Sequence, residues 1–201
     1  MFSFLTYCLA VNEGEIFPDL KNFFYSVSLS EIPQLKSAEG RDYKAQRKYS
    51  LGLGSFFSIE SISSKLGFLP ELLLYTPSGV TNEGEEKLFI FKPSSNYKES
   101  FLGGALRFHM SFIQPIGDHF SFSFFSGPTI YYYNTRVYVN SENNDYHHYF
   151  HSSMDIGMNV IFGLRDFKIG LKGEGHYFFR AQDKKLSYSI GIVLWQVISP
   201  F

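Results

Sequence analysis

Between residues 152 and 164 the chain alternates two kinds of side chain. Met154, Ile156, Met158, Val160, Phe162 and Leu164 make one set; Asp155, Gly157, Asn159, Ile161 and Gly163 make the other. Successive side chains of a strand point to opposite faces, so a period of two predicts a two-faced β-strand. The same alternation predicts strands over residues 23–32, 49–60, 66–76, 101–116, 120–139, 152–164, 167–179 and 186–197. The connections 61–65, 117–119 and 165–166 are short, whereas 33–48, 77–100, 140–151 and 180–185 are longer. Short turns at one end and longer loops at the other are the form of an outer-membrane barrel. The expected fold is all-β: a closed antiparallel up-and-down transmembrane β-barrel of about eight strands. Leu88-Phe89-Ile90-Phe91 reads as a hairpin arm above that wall, and Gly127-Pro128 predicts a bulge or kink in the fifth strand.

Side-chain volume and charge then separate the inside from the outside. One face carries Leu51, Leu53, Phe57, Leu102, Leu106, Phe108, Met110, Phe112, Tyr188, Ile190, Ile192 and Leu194. The interior of about eight strands is just wide enough to be filled by side chains, so this set would overfill it. The other face is small and polar, with Ser26, Ser28, Ser30, Ser50, Gly52, Gly54, Ser121, Ser123, Ser187, Ser189 and Gly191. Glu71, Arg107, His109, Asp155, Lys168, Lys172, Glu174 and His176 share that small face. An Arg or Lys on the lipid face at mid-bilayer costs roughly 2–4 kcal/mol, so the charges belong in the lumen. The reverse arrangement, a soluble lipocalin-like barrel with an apolar ligand inside, is the alternative that this volume argument opposes.

Composition sharpens the picture in three places. The chain has 201 residues, enough for one barrel domain, taken as residues 11–201. No run of about 18 apolar residues exists, so no spanning helix is expected. A net charge of -1 gives no electrostatic footprint for nucleic acid. Aromatics are 19% of the chain. Threading the strands up and down puts Tyr49, Tyr75, Phe101, Tyr131–Tyr133, Tyr177 and Tyr188 near the long-loop ends, and Phe23, Phe112, Phe120, Phe167 and Trp195 near the short-turn ends. Two such bands are the expected interfacial girdles. Residues 1–10 read as the tail of a signal peptide, with Cys8-Leu9-Ala10 as small residues near a cleavage point. Cys8 is the one cysteine, so no intramolecular disulfide is expected.

Together these features resemble the small eight-stranded OmpA/OmpX-type outer-membrane barrels, over about residues 23–201. Leu186–Phe201 is similar to their closing strand, with Tyr188, Ile190, Ile192 and Leu194 alternating before a final aromatic. Ser199-Pro200 interrupts that alternation. The resemblance implies a bacterial outer-membrane location with periplasmic termini and recognition by the barrel-assembly machinery. It also implies surroundings of outer-membrane lipid and lipopolysaccharide, a monomer, and a non-enzymatic structural or loop-mediated binding role without a cofactor.

Three groups of residues are candidates for chemistry. Glu71, Arg107, Asp155, Lys168, Lys172, Glu174 and His176 are expected to form a lumen ion-pair network, because buried charges must be paired. His109-Met110-Ser111 resembles the H-x-S pair of lipid A deacylase barrels, but Phe112 stands where those have Asn and no acid nearby in sequence orients the imidazole. The pair also shares the inward face with Arg107, so the expectation is lumen filling rather than catalysis. His147, His148 and His151 are within reach of a Zn²⁺ or Cu²⁺ site in principle. No fourth ligand is compelled, and a solvated loop is the expectation for them.

Overall fold

In a computed structural model, the chain closes into an antiparallel barrel. The structure describes residues 23–32, 35–36, 42–43, 46–59, 61–81, 86–88, 97–116, 119–140, 143–164, 167–181 and 185–196. The expectations for residues 1–10 and for Phe201 lie outside the described residues. The wall strands are β1 (Phe23–Ile32), β2 (Gln46–Ser55, continued by Phe57–Ile59) and β3 (Ser63–Tyr75). They are followed by β4 (Tyr97–Ile116), β5 (Phe120–Asn140), β6 (Asn143–Leu164), β7 (Phe167–Phe178) and β8 (Leu186–Gln196). Each pairs with the next in sequence, and β1 pairs with β8 to close the ring. Closure removes the exposed edges that an open sheet would present.

The eight strands match the sequence pattern in number and order, with two differences. Residues 143–151, expected as a loop, continue β6, and Asn140 pairs with Asn143 across a two-residue tip. The wall is therefore uneven: β4, β5 and β6 run for 20, 21 and 22 residues, while β1 has 10 and β8 has 11. A spanning strand needs about 9–11 residues, so β4–β6 project well past the barrel. A short hairpin, Ser78–Thr81 with Glu86–Leu88, adds to the edge of that projection against β4. Leu88 ends this hairpin; residues 89–91 of the expected arm lie outside the described residues.

The expected kink at Gly127-Pro128 takes another form. The β5–β6 ladder runs through both residues in constant register, Gly127 opposite Asp155 and Pro128 opposite Met154. On the β4 side the pairing skips them between Ser126–Met110 and Thr129–Arg107. Proline has no N–H to give the ladder, and a Cβ on residue 127 would collide with the Phe108 carbonyl oxygen. A close strand approach therefore replaces the bulge.

Faces follow parity. Val27, Leu51, Leu106, Ile156, Leu171, Ile190 and Ile192 are all half or more exposed or nearly so, from 47% to 69%. Their neighbours Ser26, Ser28, Ser50, Arg107, Asp155, Lys172 and Ser189 are buried. The apolar side chains thus face outward all round the barrel, which is the opposite of the soluble ligand-binding alternative.

Candidate functional site in the barrel lumen

The middle of the lumen is a charged layer built from four strands. Glu71 on β3 lies directly across from Arg107 on β4, and Asp155 on β6 lies across from His176 on β7. Lys172 and Glu174 precede His176 on the inward face of β7. Arg107 binds Glu71 through Nη1 at 2.9 Å and Glu174 through Nη2 at 2.8 Å, with Asp155 at 3.9 Å from Nε. Lys172 Nζ crosses the barrel to Glu71 Oε2 at 2.7 Å and also reaches Glu174 Oε1 at 3.0 Å. Since β3 and β7 stand on opposite sides of an eight-membered ring, this pair ties the wall together across its diameter.

Hydroxyls add hydrogen bonds to all three carboxylates. Ser26 donates to Glu71 at 2.5 Å, Ser189 to Glu174 at 2.7 Å, and Thr129 to Asp155 at 2.5 Å; Ser153 donates to the other Asp155 oxygen. Gly52 leaves the space for this arrangement, because a Cβ there would meet both Ser26 Oγ and the Glu71 carboxylate. Pairing and hydrogen bonding of this kind make a buried charge tolerable. Three carboxylates thus share Arg107, Lys172 and the two imidazoles of His109 and His176.

The lumen is closed above and below by apolar layers. Towards the projecting end lie Ile32, Leu73, Tyr75, Phe101, Tyr131, Tyr133, Tyr149 and Phe178. Towards the short-turn end lie Phe24, Phe56, Leu69, Phe125, Ile161, Val193 and Trp195. Lys172 Nζ sits over one of these rings, 5.4 Å from the Phe125 centroid, and His109 stacks on the same ring at 5.2 Å. This corrects the expected girdles. Tyr75, Phe101, Tyr131, Tyr133 and Trp195 are at most 6% exposed and fill the lumen, whereas Tyr49, Tyr132, Tyr177, Tyr188 and Phe112 do face outward. The inward rings have the opposite parity from their outward neighbours, and the ends of the lumen need volume as much as the interfaces need aromatics.

Of the seven expected network residues, Glu71, Arg107, Asp155, Lys172, Glu174 and His176 come together. Lys168 does not. It has the inward parity but is exposed, one residue from the start of β7, where the lumen opens to solvent. His109 joins instead, with Nε2 at 3.5 Å from Asp155 Oδ2. Asp155 is therefore the acid missing near the H-x-S pair, supplied from β6 rather than locally. Ser111, however, shares its hydrogen bond with Ser123 at 2.9 Å and makes none with His109. Both residues are buried, His109 at 0% and Ser111 at 1% exposure, beneath the aromatic layers. The histidines 147 and 151 point into the lumen from the projecting part of β6, while His148 points out to Tyr132 and Asn134. Among the described residues no group of three or more metal-ligating side chains converges.

No protein-family model matches the chain, and no curated protein matches it in sequence. Solved structures do. Neisserial surface protein A superposes with a TM-score of 0.52 at 9% identity, over 88% of this chain and 97% of that one. The fold is that of the small outer-membrane β-barrels. Ail of Yersinia pestis, in complex with the heparin analogue sucrose octasulfate, gives a TM-score of 0.49 at 12% identity over 88% of this chain and 99% of that one. The N-terminal barrel domain of Pseudomonas aeruginosa OprF gives 0.46 at 9% identity, over 87% and 97%. At these identities the outer-membrane barrel fold is what is shared.

Proposed function

We propose that the protein is an integral outer-membrane barrel without enzymatic activity, whose sealed lumen is a structural bolt and whose projecting β4–β6 edge carries binding. The observation that supports this best is the belt of exposed Leu, Ile, Val, Met and Phe around a charged interior. A water-soluble monomer rarely exposes apolar patches larger than a few hundred Å². Lipid accommodates such a belt; water does not. Among the described residues the ion-paired middle and the two apolar layers fill the lumen, which argues for stability rather than conduction. The long strands place side chains beyond the membrane, where binding surfaces on rigid scaffolds are usually found. Periplasmic termini and handling by the assembly machinery follow from this reading.

The enzyme reading has one observation in its favour, the His109–Asp155 contact. It lacks a serine in reach of that imidazole and a path for a lipid ester. Expression in a host of defined lipid A, followed by membrane fractionation and lipid A mass measurement, tests both. The reading expects a heat-modifiable outer-membrane protein and unchanged lipid A in wild type, His109→Ala and Ser111→Ala alike. Loss of an acyl chain that returns in Ser111→Ala would establish the enzyme instead.

A further inference from the structure

The outer wall carries a concavity that the belt of apolar side chains does not fill. It lies over Gly104 on β4. In register, Leu74 and Tyr132 flank Gly104, Leu72 and Ile130 flank Leu106, and Asn134 flanks Leu102. Phe150 and His148 on β6 continue the rows beyond Tyr132 and Asn134. Every one of these is an outward position. The missing side chain at residue 104 leaves a cavity of about 410 Å³ walled by leucines, Ile130, Phe150 and Tyr132, within the range of small-molecule pockets. The floor cannot be filled in place, because a Cβ on Gly104 would lie 2.7 Å from the Leu73 carbonyl oxygen.

The rim is polar on one side only. The Tyr132 hydroxyl lies 2.8 Å from His148 Nδ1, and Asn134 Nδ2 lies 3.3 Å from the same nitrogen. An amide nitrogen donates, so Nδ1 accepts and the ring proton of the neutral imidazole sits on Nε2. Nε2 is on the far side of the ring from that pair and is a donor at the exposed surface. A donor of this kind next to an apolar trough complements a molecule with a hydrocarbon tail and an anionic head.

We propose that this trough binds one acyl chain of a phosphorylated membrane lipid, with the headgroup phosphate at His148. The proposal rests on the membrane reading above and deepens it. A lipid is favoured over a second copy of the chain because the feature is a concave slot with a donor at one end, not a flat apolar plane. Binding of this kind would anchor the base of the projecting β4–β6 edge at the membrane surface.

Native mass spectrometry of the full chain in detergent micelles provides the test, with bis-phosphorylated lipid A as probe and its dephosphorylated form as comparison. The expected result is one tightly held lipid A per wild-type chain and at least tenfold weaker retention of the dephosphorylated form. Ile130→Trp, which fills the slot, is expected to weaken both at least tenfold. His148→Ala is expected to weaken the phosphorylated form alone. Ile190→Trp, on an outward and more exposed position of β8, is expected to change neither. Unaltered binding in Ile130→Trp, or an equal loss in Ile190→Trp, overturns the site. A dimer mass abolished by Ile130→Trp overturns it in favour of a second copy. Leu102→Trp replaces Ile130→Trp if that variant lacks the heat-modifiable migration of the folded barrel. Fractionation of the wild-type chain reads the membrane proposal separately, so failure of either is recognised.

Discussion

The middle of the lumen and its two ends solve the same packing problem with opposite chemistry. Glu71, Arg107, Asp155, Lys172, Glu174 and His176 fill the middle with ion-pairing groups, some joined between neighbouring strands and some across the barrel. Phe24, Phe56, Phe125 and Trp195 fill one end, and Tyr75, Tyr131, Tyr133 and Phe178 the other, with rings. The ends depend on volume, which neighbouring rings can partly restore after a loss. The middle depends on balance. Removing one charge leaves its partners buried without compensation, a cost that no small repacking repairs. The aromatic layers in turn keep water from the ions, so each region sets the energetics of the other.

Arg107→Leu is expected to have the largest effect. It leaves Glu71 and Glu174 with Lys172 as their one shared cation and should lower stability by about 3–5 kcal/mol, read as the urea midpoint of unfolding followed by heat-modifiable gel migration. Phe24→Ala, in the ring layer against Trp195 at 4.8 Å, should cost about 3 kcal/mol, the lower end for a buried Phe, because the end of the lumen lies nearer to water. A ring loss that outweighs the arginine loss would break the contrast between the two layers. The diameter-spanning pair sharpens it: Glu71→Gln and Lys172→Met should each destabilise, and the double variant should cost less than their sum by about 1–3 kcal/mol. Additive costs would mean that Lys172 belongs to Glu174 alone. Lys168→Ala should fall within about 0.5 kcal/mol of wild type, as surface changes do; a larger loss would draw the exposed mouth into the bolt.

The same contrast explains what was legible in the sequence. In the middle of a span a charge cannot face lipid, so parity alone assigned Arg107, Asp155, Lys172 and Glu174 to the inside. At the ends that penalty fades, and an aromatic is welcome on either face. Tyr131 and Tyr132 read alike by position, yet one is 2% and the other 48% exposed. Parity was the available signal, since Tyr131 and Tyr133 share the face of Thr129. Lys168 shows the converse: correct parity, but too close to the strand start to be buried. The extension of β6 through residues 143–151 escaped because both of its faces mix aromatic and polar side chains, although His147, Tyr149 and His151 are buried. Tyr146, His148 and Phe150 alternate there with His147, Tyr149 and His151, and no polar–apolar split marks the strand. The partnership of His109 with Asp155 needed the register of β4, β5 and β6, which periodicity does not supply.

The central claim is that the apolar face meets lipid while the charged face is sealed inside. With Cys8 replaced by serine, single cysteines at positions 154 through 162 carry a nitroxide label in the reconstituted barrel, and accessibility to oxygen dissolved in the bilayer is measured. The account predicts high accessibility at 154, 156, 158, 160 and 162 and low accessibility at 155, 157, 159 and 161. Lipid-phase accessibility at 155, 157 and 159, or a profile without a period of two, would contradict it.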